Sequence, residues 1–163
     1  MSIISERFEN LSLNKIKLLE SLYNNDDIVK MLIFNDKDFL EKDLPVDFDR
    51  TSLLYSQIFP YKYSQKIEDD PKTIITTNFV YKKHDNTYKI TNFYLYIITH
   101  YTLMSCNYGL RLNRGINIID EIVNQSRLFG VGRVEFENYY ESATDNTYTY
   151  PLVCIEYKTY EFN

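Results

Sequence analysis

Between residues 12 and 24 (SLNKIKLLESLYN) apolar positions recur at the helical period. Ile16, Leu19, Leu22 and Tyr23 form the stripe, and Lys15, Lys17 and Glu20 lie between them. The pattern predicts an amphipathic helix with Ser12 as its N-cap. Asn24-Asn25 interrupts it, and Asp26 is placed to cap a second short helical segment with Ile28, Val29, Met31 and Leu32 on one side. A second main helix is predicted over residues 113–127 (NRGINIIDEIVNQSR). Ile116, Ile119, Ile122 and Val123 make its stripe, and Gly115 weakens its start.

The remaining periodic segments alternate with the period of strands. Residues 72–83 (KTIITTNFVYKK) are dense in β-branched and aromatic side chains, and His84-Asp85-Asn86 is a turn signal. Residues 87–99 (TYKITNFYLYIIT) then return as the partner strand. In the first of these strands Thr73, Ile75, Thr77, Phe79 and Tyr81 share one face; Ile74, Thr76, Asn78 and Val80 share the other. Neither face is cleanly polar, which suggests a sheet covered by helices on one side and by a neighbouring subunit on the other. Residues 133–140 set Arg133, Glu135 and Glu137 against Val134 and Phe136, so one side is expected to face water or a polar partner. After the loop 142–147, a last strand over 148–161 carries Leu152 and Cys154 on one face and Val153, Ile155 and Tyr157 on the other, with Pro151 at its start or on an edge.

Residues 34–71 show neither period. Leu44-Pro45, Phe59-Pro60 and Asp70-Pro71 hold the residue before each proline extended. Leu53, Leu54, Ile58 and Phe59 are expected to tether this stretch, which is too long for a simple loop and reads as a packed arm or a contact arm. The order helix, arm, hairpin, helix, hairpin predicts an α+β fold: a small, mostly antiparallel sheet from two β-hairpins, packed with an N-terminal and a central helix. A length of 163 residues suits one domain, 1–163, with 34–71 an irregular arm or loop within it.

Composition narrows the function classes. A net charge of −5 argues against a general nucleic-acid binder, which gains affinity from a Lys/Arg surface that displaces counterions. It leaves room for a channel through which DNA slides. The longest acidic block, Glu68-Asp69-Asp70, is read as a solvated loop. Two cysteines are too few for a disulfide framework, so Cys106 and Cys154 are read as buried thiols. The opening MSIISERFEN has no basic segment followed by an apolar core, so no signal peptide is expected, and no run reaches the ~18 apolar residues of a membrane span. Sixteen Tyr and ten Phe against four Gly and four Pro suit strands and interfaces. Part of the Ile, Asn, Lys and Tyr usage also follows from A/T-rich codons.

Candidate chemistry is sparse. His84, His100, Cys106 and Cys154 are the conceivable metal ligands, but His100 and Cys106 stand six apart and match no common zinc pairing. A Cys–His nucleophile would need Cys154 beside His84 or His100, yet Cys154 lies in the apolar run VCIEY. Gly130-Val131-Gly132 lacks a third glycine and a following Lys-Ser/Thr, so it reads as a turn rather than a phosphate cradle. Glu135/Glu137 and Asp69/Asp70 read as solvated carboxylates. Arg111, Arg114, Arg127 and Arg133 form a loose basic set read as surface charge, with contact to DNA or an acidic neighbour as the alternative. No catalytic, metal or cofactor residues are assigned, and the chain is not expected to be an enzyme or to take a cofactor or small-molecule substrate.

The element order resembles that of the head–tail joining and tail-terminator proteins of tailed bacteriophages. An N-terminal helix, a hairpin, a central helix and a second hairpin correspond here to residues 12–33, 72–99, 113–127 and 133–161. The stretches SLYNNDDIVKMLIF, SQIFPYKY and VCIEYKTYEFN are also similar to the text of structural proteins from phages of AT-rich Firmicutes. The resemblance implies a virion structural protein, assembled in the host cytoplasm, that forms a homo-hexameric ring at the head–tail junction. A tail terminator of this kind caps the tail tube and docks it to neck or connector proteins, with sheets extending between subunits. DNA passes through the lumen without specific binding, no membrane is involved, and the 34–71 arm clasps a neighbour. The alternative is a small phage-encoded binder or inhibitor of a host protein.

Overall fold

The computed structural model describes residues 3–66, 69–83, 88–129, 132–144 and 146–162. It opens with helix α1 (Ile3–Tyr23), followed by α2 (Asp26–Ile33). Helix α1 begins well before Ser12, so Ser12 lies inside the helix rather than at its cap. The face turned inward carries Asn14, Leu18, Leu19 and Leu22, whereas Leu13 and Ile16 are about half exposed. Ile16 therefore falls outside the buried stripe: spacings of four from Asn14 through Leu18 to Leu22 track the buried face better than a start at Ile16. The cap of α2 is Asn25, one residue earlier than expected. Its side-chain oxygen accepts the Ile28 N–H at 3.0 Å, and Asp26 and Asp27 occupy the first turn, where the helix dipole favours acids. Ile28, Val29, Met31 and Leu32 are all buried, as the pattern required.

The 34–71 stretch has more structure than its irregular sequence suggests. It holds 3₁₀ turns at Phe39–Glu41 and Arg50–Leu53 and a two-residue strand β1 (Ile58–Phe59), which runs parallel to the next strand. Phe39, Leu53, Ile58 and Phe59 are buried, and the Gln57 carboxamide donates to the Thr73 carbonyl at 3.0 Å.

Strands β2 (Thr73–Lys83) and β3 (Tyr88–Thr99) pair antiparallel from Thr73↔Thr99 to Lys83↔Lys89. The expected His84-Asp85-Asn86 turn lies outside the described residues. A small hairpin follows, β4 (Ser105–Cys106) and β5 (Gly109–Leu110), whose turn needs the left-handed φ of +101° at Gly109. Helix α3 (Arg111–Val123) then begins and ends earlier than the 113–127 expected. Its inner face is Leu112, Gly115, Ile118, Ile119 and Val123, with Ile116 and Ile122 only partly buried. Gly115 does more than weaken the helix start. A Cβ there would lie 2.8 Å from Met31 Sδ and 2.9 Å from Ile97 Cδ1, so the glycine lets α3 pack closely on α2 and on β3.

Strands β6 (Glu135–Ala143) and β7 (Pro151–Phe162) form the second long hairpin, and β7 pairs with β3. The sheet order β1-β2-β3-β7-β6 sets the two hairpins side by side, and the fold is α+β. All three helices pack on one face, over Phe93, Leu95, Ile97, Val153, Ile155 and Tyr157. At one end of the opposite face Phe59, Tyr63, Ile74, Ile98, Tyr150 and Leu152 form a smaller cluster, with Phe59 and Tyr63 stacked at 3.9 Å. Part of the cover expected from a neighbour thus comes from the chain's own arm.

Candidate interaction surface

The clean alternation expected in the third strand is absent. Every residue of β6 from Glu135 to Ser142 is exposed, including Phe136 at 48%, Tyr139 at 38% and Tyr140 at 43%. Val134, the apolar neighbour placed on the same face as Phe136, is buried but precedes the strand. The physical reason is position: β6 is the last strand of the sheet and reaches past the helices that cover β3 and β7.

One edge of β6 pairs with β7; the other pairs with no strand among the described residues. The register shifts between Phe136 and Asn138, leaving Glu137 as the extra residue of a bulge. Beyond it, Asn138–Ala143 keeps regular pairing. Lys158 on β7 sits between two of the strand's acids, 2.7 Å from Glu137 and 4.0 Å from Glu135. Glu137 is the first cause holding the Lys158 ammonium above its ordinary range. The candidate carboxylate pair is therefore an ion-pair cluster. Tyr139 donates to Glu141, and burial followed by that bond pushes its phenol up to about 12.

Between β6 and α3 runs an open groove of about 620 Å³. Ile116, Phe136, Tyr139 and Ile155 form its apolar walls, and Asp120 and Asn124 its polar floor. The buried Tyr157 hydroxyl donates to Asp120 Oδ1 at 2.9 Å, and Asn124 Oδ1 accepts the Phe136 N–H at 3.3 Å. The first bond fixes α3 to β7 and the second fixes its C-terminal end to the edge strand β6. The groove is not legible in the sequence, because it exists only where a helix face ends short of a strand.

The second open edge belongs to β2. Strand β1 covers it only at Ile75 and Thr76, so from Thr77 to Lys83 no other strand lies against it among the described residues. The two edges differ in charge: β6 carries Glu135, Glu137 and Glu141, and the β2 sequence ends in Lys82-Lys83.

The other candidates scatter. His100 caps a 3₁₀ turn, with Nδ1 2.7 Å from the Thr102 hydroxyl, and packs on Tyr101 and Tyr150. Cys106 donates to the Gly109 carbonyl inside the small hairpin. Cys154 is buried on the opposite sheet face, where burial pushes its thiol up. Asp69 closes a turn on the Lys66 N–H. His84, Glu68, Gly130 and Val131 lie outside the described residues, and Gly132 packs against the Tyr160 backbone. Among the described residues no group of three or more His, Cys, Asp or Glu could hold a metal ion, and no helix is long and apolar enough to cross a membrane.

The basic set is corrected most sharply. Arg127 and Arg133 are exposed and Arg114 is partly buried, but Arg111 is fully buried and is not surface charge. Its guanidinium donates to the carbonyls of Leu103 (3.0 Å), Met31 (2.9 Å), Phe34 (2.9 Å) and Asp36 (2.7 Å) and stacks over Phe39 at 4.5 Å. Met31 and Phe34 lie at the C-terminal end of α2, where carbonyls are left without intrahelical partners and the dipole favours a cation. Arg111 thus ties α2, α3 and the start of the arm together.

A family model described as YomW matches residues 25–159, all of the elements above except α1. No curated protein matches the chain.

Proposed function

Because this chain belongs to the YomW family, whose name is that of a phage-region protein, we propose that it is a virion structural protein that closes into a ring by pairing the β6 edge of one copy with the β2 edge of the next. The observation that carries this reading is β6: nine residues at a sheet edge, eight of them exposed, on both faces, and three of them aromatic. A long aromatic edge is a template for another strand, and proteins that stay monomeric usually cover or blunt it.

The devices present on β6 select a partner. Glu135, Glu137 and Glu141 would oppose like charges if β6 paired with itself, and the bulge disturbs the same end. Against a β2 edge whose sequence ends in Lys82-Lys83, Glu135, at the same end of the sheet, is complementary. Joining two different patches is a head-to-tail contact, which yields a ring when the rotation closes. In that ring the chain acts as a tail terminator at the head–tail junction of the virion, capping the tail tube and meeting the neck. DNA crosses the lumen without specific binding. The arm at 34–71, with Val46 almost fully exposed, is free to touch a neighbour.

The test is the mass of the purified chain by light scattering, alone and with tail-tube protein, with negative-stain imaging of each sample. A six-fold ring in either sample supports the reading. A strict monomer in both overturns it. Capture of one host protein along the β6 groove would support instead the second reading, a phage-encoded binder.

A further inference from the structure

A second cavity lies on the sheet face away from the helices, between β6 and residues 62–64 of the arm, and encloses about 220 Å³. Ile98 and Leu152 give it an apolar base. Its polar lining is made of hydroxyls, from Ser64, Thr76, Tyr96, Tyr140 and Ser142, together with the Lys62 side chain; no carboxylate lines it. The space exceeds that of one trapped water and falls below that of a drug-sized pocket, so it suits a compact ligand.

Two features point to a ligand. Thr76 is fully buried, and its hydroxyl has no hydrogen-bond partner. Buried polar groups are normally satisfied, and leaving them unpaired costs free energy that a bound group recovers. Lys62 Nζ lies 6.0 Å from the centre of the Tyr96 ring and is paired with no carboxylate among the described residues.

The lining also stays uncharged apart from that ammonium. The neighbouring Cys154 first and burial second raise the Tyr140 phenol, and burial first raises that of Tyr96, so both rings stay neutral. Burial keeps the neighbouring Cys154 thiol neutral. Several O–H donors and one cation, with no acceptor-only group, match a negatively charged oxygen ligand. A cation would lack a counter-charge, and a neutral sugar would leave the Lys62 ammonium without one. We propose that this cavity binds a compact oxyanion, a phosphate or carboxylate group, held by Lys62 and by the hydroxyls of Thr76 and Ser64. This site is independent of the assembly reading.

The experiment is a titration of the ¹⁵N-labelled chain with inorganic phosphate and, separately, with acetate, at fixed ionic strength. Saturable amide shifts at Ser64, Thr76 and Ser142 are expected with one or both anions; phosphate alone identifies a phosphate-type ligand, acetate alone a carboxylate. Lys62→Gln, at an exposed position that leaves the fold intact, should weaken binding about tenfold. Thr76→Val keeps the shape of the side chain; it should weaken binding while the melting temperature holds or rises. Absence of saturable shifts with both anions would overturn the proposal, as would binding that neither variant changes.

Discussion

Arg111 carries a charge with no exposed surface, and it is held by backbone rather than by a carboxylate. Burial lowers its pKa, yet guanidinium remains protonated, so the four carbonyls take the place of its water shell. Arg111→Met strands those carbonyls and should cost about 3 kcal/mol or more, read as a lower urea midpoint at unchanged slope. Tyr157 makes a pH-dependent contribution. Burial first, and its bond to Asp120 second, raise the phenol above its ordinary range. A group raised on folding stabilises fully below its unfolded pKa and loses that contribution as pH climbs from about 10 toward the folded value. Urea melts at pH 9 and pH 11 should therefore show a larger alkaline loss for the native chain than for Tyr157→Phe. An equal loss in both would mean that this phenol does not govern the alkaline limb.

At the scale of elements, the strands of the first hairpin and the short helix α2 were legible, because each has a dense, uninterrupted period. Their ends were less so. The cap of α2 could be Asn25 or Asp26 by residue type, and only the 3.0 Å bond to the Ile28 N–H separates them. Asn25→Ala should destabilise the fold by about 1 kcal/mol, with Asp26→Ala smaller, by thermal or chemical melts. Gly115 reads as a weak point in a helix, yet it is a contact. Gly115→Val should cost about 2 kcal/mol, since its branches meet Met31 and Ile97. A neutral result would mean that those side chains simply move aside. Strand β6 was misread for a related reason: alternation announces a buried face, but at the edge of this sheet no helix reaches far enough to bury it.

For the whole molecule, the decisive property is that one five-stranded sheet ends in two unlike edges. If ring closure uses both, reversing one charge should block assembly and reversing its partner should restore it. Glu135→Lys alone is expected to shift scattering mass to the monomer, and Glu135→Lys with Lys82→Glu to recover the oligomer, to within experimental error in mass; Glu135 lies level with Val80, at the lysine end of β2. Recovery would tie the two edges to each other. A monomer from the single variant with no rescue would locate the contact on β6 but not its partner on β2.

The sequence by itself determined the element types, the two antiparallel hairpins and the α+β class, because hydrophobic period and turn chemistry act over a few residues. It also separated the two faces of β7, Leu152 and Cys154 from Val153, Ile155 and Tyr157, and the fold turns the second set toward the helices. Only the tertiary structure decided that β6 stands at an edge, that Arg111 is interior, that Gly115 is a helix–sheet contact and that a hydroxyl-lined cavity sits beneath the arm. Each of those depends on groups tens of residues apart meeting in space, and local pattern carries no term for the neighbour that arrives, or fails to arrive, from elsewhere in the chain.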